Sequence, residues 1–360
     1  MEEKIVKALI QYGFKEDEIK HLAPFGDGLI NHTYRFYVGN TAYLIQKINT
    51  AVFKNPEGLM NNFVAVTEYL KEQIRLNGGD ENRETLTVIK TLDGKNFVNI
   101  SGSAYRVLIF IDAISINAAE NSQQMYNVAT TFGRFQKMLA NYPADTLFEV
   151  IPDFHNTPKR FEHLEAAIKN NAVGRLQLVK DEVEYAVSMK DRIGAVIDGI
   201  NDGSVPLRVS HNDTKLNNVL LDKDTKEGVC VIDLDTVMPG SYLYDYGDAL
   251  RFAGNNTIED DPDLTKVYLN FDNFAAFTEG YLSEVKSVLT EREIELLPFS
   301  ILLMAYECGI RFLTDYLNGD TYFKTTYPEH NLVRARNQFR YAQDLDEKLE
   351  KMSKFIKNLL

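Results

Sequence analysis

Tryptophan is absent from the 360 residues, and cysteine occurs only twice, at Cys230 and Cys308. Two thiols cannot build a disulfide framework, and both lie inside apolar runs, so they read as buried free side chains. Positive charge is in deficit: 39 Lys and Arg stand against 52 Asp and Glu, a formal net charge of −13. A chain this acidic is ill-suited to nucleic acid or an anionic lipid surface, and neither is expected as a partner. No apolar run approaches the roughly 18–20 uncharged residues of a membrane span. Met1-Glu-Glu-Lys lacks the basic and apolar segments of a signal peptide, so the expected location is the cytoplasm. The sequons at Asn31, Asn99, Asn212 and Asn255 then have no glycosylation meaning. Repeats and low-complexity tracts are also missing. What is present, 44% hydrophobic and 25% charged residues, is the composition of a folded chain long enough for two lobes.

The most informative stretch is Val209-Ser-His-Asn-Asp-Thr-Lys-Leu-Asn-Asn-Val-Leu-Leu-Asp222, followed by Val231-Ile-Asp-Leu-Asp-Thr236. Residues 207–210, 219–222 and 229–233 read as short strands around a loop that carries His211, Asp213 and Asn218. Carboxylates beside buried strands are costly unless they meet a cation, a metal or hydrogen-bond donors. If the last two strands pair about the polar turn 223–228, Asn218 and Asp233 fall opposite each other at the open end of the hairpin. An amide oxygen and a carboxylate so placed suit Mg²⁺, which keeps several waters and binds substrate phosphates. Asp213, one short loop away, would face the same point as a base. That combination is a phosphoryl-transfer constellation.

The pattern His211-x-Asp213-x4-Asn218 followed by Asp233 resembles the catalytic loop and metal-binding Asp of the aminoglycoside phosphotransferase/choline kinase superfamily, relatives of protein kinases. The strings Pro24-Phe-Gly-Asp-Gly-Leu-Ile-Asn-His-Thr-Tyr34, Thr236-Val-Met-Pro-Gly-Ser241 and Tyr327-Pro-Glu-His-Asn-Leu-Val-Arg334 are similar to those of its N-acetylhexosamine 1-kinases. The resemblance runs from about residue 20 to about residue 340. It implies an α+β, bilobal, protein-kinase-like fold: a β-rich nucleotide lobe over residues 1–110 and a mostly helical catalytic and substrate lobe over 111–360.

Along the chain, residues 3–12 read as an amphipathic helix with Ile5, Ala8, Leu9 and Tyr12 on one side. Gly26 and Gly28 then open a turn whose amides are free to face phosphate oxygens. A lone Gly-x-Gly is more often a plain hairpin turn, but its position ahead of a catalytic loop, in kinase order, reverses those odds. The resemblance extends the nucleotide-facing set to Asn31 and Thr33. It places Gln46, not Lys47, where kinases hold a phosphate-binding lysine. Neighbouring strand residues point to opposite faces, so Lys47 cannot substitute, and Gln46 is expected to make a weaker, neutral contact. The helix near 56–70 braces this strand and offers Asn62 and Glu68. In the kinase arrangement the backbone of Phe110–Ala113, with Asp112, meets adenine.

Helical patterns fill 120–140 and 158–200, the second beginning with Thr157 as N-cap and Pro158 at N1. His155 reads as structural. Asp245, Asp248 and Arg251 are candidates to brace the catalytic loop or to touch substrate, with bracing favoured for Asp248, and 255–263 reads as a solvated acidic loop. Glu307, Arg311 and Asp315 are spaced i, i+4, i+8 within an apolar helix over 291–317 and share a face. By spacing alone that face is equally a buried ion-pair stripe or a pocket wall; the resemblance favours the pocket for Arg311 and adds Tyr322 as a sugar contact. Ala342, Leu345, Leu349, Met352, Ile356 and Leu359 form a stripe that packs on the chain's own lobe rather than making a dimer seam, so a monomer is expected.

The implied reaction is transfer of the γ-phosphoryl of ATP to the anomeric hydroxyl of an N-acetylhexosamine such as GlcNAc or GalNAc. Asp213 acts as base and also contacts the sugar, Asn218 and Asp233 hold Mg²⁺, His211 fixes the loop and Asp235 assists beside the substrate. The departure at Leu29, where the hexosamine kinases carry His, bears on which sugar is taken. The alternatives are a kinase of another small alcohol (aminoglycoside, choline or homoserine) and an inactive kinase fold serving as a binding module, to which the missing lysine at Gln46 points and against which the intact Asp213, Asn218 and Asp233 count.

Overall fold

The computed structural model describes residues 2–26 and 30–360. Gly28 and Leu29 therefore lie outside the described residues. Helix α1 (Glu2–Gln11) lays Ile5, Ala8 and Leu9 on a sheet of β1 (Lys20–Pro24), β2 (His32–Val38), β3 (Thr41–Ile48), β4 (Val88–Ile89), β5 (Val98–Ile100) and β6 (Ser103–Ile109). The strand order is β1-β2-β3-β6-β4, with β5 also on β6, and every pairing is antiparallel. Alternation along β3 puts Ile45 in the cluster under α1. Gln46 therefore faces the other way, and Lys47 shares the α1 side with Ile45. That other side is covered by α2 (Pro56–Leu76), longer than expected, whose Asn55 cap accepts from Gly58 N at 2.9 Å. Asn62 is the inward residue of this helix, bonding Phe148 O at 2.6 Å and Val237 O at 2.9 Å, whereas Glu68 pairs with Lys71 at the surface.

The remaining chain is mostly helical. Strand β7 (Ile114–Ser115) leaves the first sheet to pair with β9 (Val219–Leu221), which pairs in turn with β10 (Gly228–Val231). Around them stand α3 (Ser122–Met138), α4 (Thr157–Asn170), α5 (Lys180–Ser188), α6 (Ala195–Asp202), α7 (Tyr242–Ala253), α8 (Phe271–Val285), α9 (Glu291–Leu317) and α10 (His330–Lys357). Strands β8 (Arg208–Ser210) and β11 (Met238–Gly240) form a separate ladder. The architecture is α+β and bilobal, with a small β-rich lobe ahead of a larger helical one.

Helix α9 is the spine of the large lobe. Thr290 and Glu293 close a capping box at its start, and Glu293 pairs with Arg208 at 2.9 Å, tying the helix to the strand that feeds the catalytic loop. By length and composition α9 could cross a membrane, but 89% of its apolar window is buried inside the protein, as in a core helix. Ala342, Leu345, Met352 and Ile356 of α10 are buried against the same lobe.

Three local expectations are corrected. The N-cap of α4 is Asn156, which accepts from Lys159 N; Thr157 instead turns its hydroxyl to Glu307 at 2.7 Å, because that buried carboxylate needs donors. Residues 255–263 are not simply solvated: Asn255 is buried, Glu259 pairs with Arg251 at 2.6 Å and Asp260 with His330 at 3.0 Å. In the β9–β10 hairpin a bulge between Gly228 and Cys230 shifts the register by one, so Asn218 opposes Ile232, whose N–H it accepts at 2.9 Å.

Candidate active site

Strand β8 ends at Ser210, and the next residues form a loop held by α7. Ser241 caps α7, and in its first turn Asp245 is buried beneath the loop. One Asp245 oxygen accepts Ser210 Oγ at 2.9 Å and Asn212 N at 2.7 Å; the other accepts His211 N at 2.9 Å and Gln136 Nε2 at 2.7 Å. Asp245, rather than Asp248, is thus the principal brace. Asp248 contributes one contact to Thr214 N at 3.2 Å and pairs with Arg251 at 3.0 Å. Asn212 sits at φ 65°, in the left-handed region that Asn tolerates best among residues bearing a Cβ. Its amide bridges Ser210 O and Thr236 O, at 3.1 and 2.9 Å, locking the loop to the segment after β10.

His211 is fully buried, meets Ile232 O at 2.9 Å and stands edge-on to Phe132 and Phe135. A ring so enclosed fixes the loop and does not reach a substrate. Asp213 follows, half-buried, with its carboxylate 2.6 Å from Lys215 Nζ and 3.3 Å from Asn218 Nδ2. Asn218 also donates to Asp213 O at 2.8 Å, which turns its amide nitrogen inward and leaves its oxygen for another partner. Burial pulls the Lys215 pKa down, but the charge and hydrogen bond of Asp213 outweigh it and the ammonium stays firmly protonated. Lys215 was not anticipated; its signal was a lysine two residues past the proposed base.

Asp233 leaves β10 at φ 58° and ψ 53°. This left-handed turn, not direct cross-strand opposition, brings it toward the loop. Its surroundings are protein, yet its surface is open to solvent. Crowding by protein, then the charges of Asp235 and Asp213, raises its pKa above the ordinary carboxylate value, against the pull of Arg106. Among the described residues no hydrogen bond or ion pair engages this carboxylate. Nor does any group of three or more His, Cys, Asp or Glu there form a self-sufficient metal cage. An unengaged carboxylate crowded by two others, beside a free amide oxygen, fits a magnesium ion that keeps water and phosphate ligands.

Asp235 belongs to a different set. It is buried, paired with Arg106 and bonded by Asn31 Nδ2 at 2.5 Å. Arg106 is 1% exposed; its Nε donates to Gln46 Oε1 at 2.9 Å, and Gln46 Nε2 donates to Thr33 Oγ1 at 3.0 Å. Thr33, Gln46 and Arg106 are direct cross-strand neighbours on β2, β3 and β6, so three strands present one polar row that ends on Asp235 of the other lobe. Gln46 thus supports a buried cation, with both ends of its amide committed to Arg106 and Thr33 rather than left for the weak phosphate contact expected of it. The signal for Arg106 was a lone arginine in the otherwise apolar run 105–111. As Asp235 is held by this row, its expected place at the substrate is corrected: its carboxylate serves the contact between lobes.

Gly26 is in a left-handed turn at φ 74°, next to Phe25, whose N–H bonds Thr33 O. Phe110 packs edge-on against Phe25 at 5.4 Å, with Arg35 over both rings. The Asp112 side chain points away from the linker, paired with Lys223 at the surface, which leaves only its backbone for a ligand.

A cavity of about 400 Å³ lies between α4, α9 and residues 321–323, lined by Arg160, Arg311 and Tyr322 among others. The α9 stripe divides there. Glu307 is taken by His155 at 2.8 Å and by Thr157; Asp315 is taken by the amides of Thr321, Tyr322 and Phe323, at 2.9, 2.8 and 2.9 Å. Neither pairs with Arg311, which remains at the cavity against the rings of Phe154 and Phe323. Tyr322 is 73% exposed at the rim. His155 links this region to the catalytic loop, approaching Asn212 O at 3.5 Å.

Comparison with known proteins identifies the family and the fold. The model of the phosphotransferase enzyme family, APH, matches residues 21–279. Among solved structures, an aminoglycoside phosphotransferase from Alicyclobacillus acidocaldarius superposes with a TM-score of 0.60 at 12% identity, covering 98% of this chain and 96% of its own. A choline kinase from Cryptosporidium parvum gives 0.59 at 13% identity, over 98% and 97%. A spectinomycin phosphotransferase solved with ADP and spectinomycin gives 0.55 at 15% identity, over 97% and 98%. These likenesses concern the fold. The family match spans well over half of the chain, and the protein belongs to the phosphotransferase enzyme family.

Proposed function

We propose that this phosphotransferase moves the γ-phosphoryl group of ATP to the anomeric hydroxyl of an N-acetylhexosamine, giving the sugar 1-phosphate. The observation that carries the reading is the convergence of Asp213, Asn218 and Asp233 at the loop braced by Asp245. In this role Asp213 orients the acceptor hydroxyl and takes its proton as the new P–O bond forms. Lys215, 2.6 Å from Asp213, offsets negative charge as the phosphoryl group arrives. The Asn218 oxygen and Asp233 would hold Mg²⁺, which when bound with the nucleotide supplies positive charge across the phosphates. Gly26, Thr33 and Phe110 form the nucleotide side on a lobe of residues 1–110, the backbone of residues 111–112 continues it at the start of the catalytic lobe of residues 111–360, and Asn31 supports it through its bonds to Asp235 and Asn49 N.

Acceptor class is supported by the cavity. Two guanidinium groups, Arg160 and Arg311, stand where an aminoglycoside or choline would need carboxylates or an aromatic cage, so cationic alcohols are disfavoured. Arg311 and Tyr322 are the sugar contacts in this reading.

A phosphorylation assay over a panel of sugars and amino-alcohols, with products identified by ³¹P NMR, tests it. An anomeric phosphate signal is the expected result; phosphate on a 6-hydroxyl or an amino-alcohol would reject the hexosamine reading. Asp213→Asn is expected to lower kcat by at least ~100-fold, in line with loss of a general base, with Mg²⁺-ATP affinity nearly unchanged. Wild-type turnover by that variant would remove Asp213 from the role.

A further inference from the structure

The cavity between α4, α9 and residues 321–323 has an electrostatic character that a neutral sugar leaves unused. Arg311 carries five N–H donors, and among the described residues no side chain or carbonyl accepts any of them; its guanidinium meets only the rings of Phe154 and Phe323, at 5.6 and 5.7 Å. Arg160 donates from Nε at 3.2 Å and Nη2 at 2.9 Å to the Phe154 carbonyl, and among the described residues its remaining N–H groups are unengaged. Both side chains are half-buried and line the same space.

The nearby carboxylates are committed elsewhere. Glu307 is bound by His155 and Thr157, and Asp315 by three backbone amides and Asn331. Asp153, also near Arg160, is exposed and bonded to Asn156. The one other titratable side chain on the lining besides Tyr322 is His163, at the surface. Burial, then the facing charge of Arg311, lowers the Arg160 pKa against the opposing pull of Glu307, Tyr322 and Asp153. Paired guanidinium groups match a carboxylate or phosphate in a bidentate way that surface lysines do not.

We propose that Arg160 and Arg311 form an anion subsite of the acceptor pocket, so that the preferred acceptor is a sugar bearing a carboxylate, such as an N-acetylhexosaminuronic acid, over its neutral parent. The inference rests on the cavity being the acceptor site. A pyranose ring with its anomeric hydroxyl at Asp213 directs its far substituent away from the loop. Arg311 lies one helical turn beyond the Glu307–His155 contact that joins this wall to Asn212.

The test uses matched pairs: N-acetylglucosaminuronate and GlcNAc, glucuronate and glucose, glycerate and glycerol. Each is measured by calorimetric titration in the presence of a non-hydrolysable ATP analogue and Mg²⁺, and by turnover with ATP. The acid is expected to bind at least tenfold more tightly than its neutral partner in one sugar pair. In Arg160→Gln that ratio falls at least fivefold, and Arg160→Lys recovers part of it, which a purely structural arginine would not do. Absence of acid preference in every pair, non-binding included, overturns the proposal, as does an unchanged ratio in Arg160→Gln. Acid preference confined to glycerate leaves the anion subsite standing and removes the hexosamine reading. Preference for the neutral sugar in both sugar pairs does the reverse.

Discussion

Asp245→Asn tests how the catalytic loop is held. The wild-type carboxylate is 2% exposed and accepts four hydrogen bonds, two at each oxygen. An amide retains one oxygen, so at best one pair of bonds survives while its NH₂ group faces two donors. Bonds to a charged acceptor contribute about 1.5–3 kcal/mol each, so losing two costs about 3–6 kcal/mol. At roughly 2 °C per kcal/mol for a protein of this size, Tm falls by ~6–12 °C. Ser210→Ala, which removes one hydroxyl donor from the same carboxylate, is the graded control, at about 1.5–3 kcal/mol and ~3–6 °C. Differential scanning calorimetry at pH 7 reads both variants. Below its Tm, Asp245→Asn is also expected to lose turnover, because the amides of His211 and Asn212 no longer share one anchor. A Tm within 2 °C of wild type would refute the assignment of Asp245 as the brace.

Two further outcomes follow from the same contacts. Arg106→Met leaves Asp235 charged and buried and is expected to cost roughly 3–5 kcal/mol, whereas Arg106→Met with Asp235→Asn recovers a good part of that loss; additive losses in the four-protein cycle, read by thermal melting, would show that the pair is not coupled. Asp248 is buried, which opposes its charge, but Arg251 and then Lys215 outweigh burial and hold its pKa below the usual carboxylate range. A depressed folded-state pKa gives stability that is fully present above the unfolded value of about 3.9 and lost as pH falls through the folded one. The Tm gap between wild type and Asp248→Asn is therefore open at pH 6 and narrows below about pH 4; a gap that widened on acidification would contradict the sign.

Much of the site was legible because its chemistry sits close together in sequence. His211, Asp213, Asn218 and Asp233 fall within 23 residues, and apolar runs around a polar loop mark short buried strands. The pairing of β9 with β10 was legible too, but its register was not, since a bulge at Gly228 to Cys230 is a local backbone choice that alternation does not encode. Asp233 reaches the loop through a left-handed turn instead. Asp245 was visible as one of three acidic and basic candidates on α7; which of them anchors the loop depended on which turn of the helix faces it.

Sequence alone determined the reaction class, the order of the two lobes and the buried faces of α1 and α10, because periodicity and a compact motif are properties of neighbouring residues. Tertiary structure decided the partners of isolated charges. Arg106 is one arginine in an apolar strand until Asp235, 129 positions away, closes on it. The stripe Glu307, Arg311 and Asp315 is equally an ion-pair ladder or a pocket wall until His155, Thr157 and the amides of 321–323 claim the two carboxylates and leave the arginine at a cavity. The physical reason is the same in both cases: a buried charge is defined by what neutralises it, and that partner comes from a distant part of the chain.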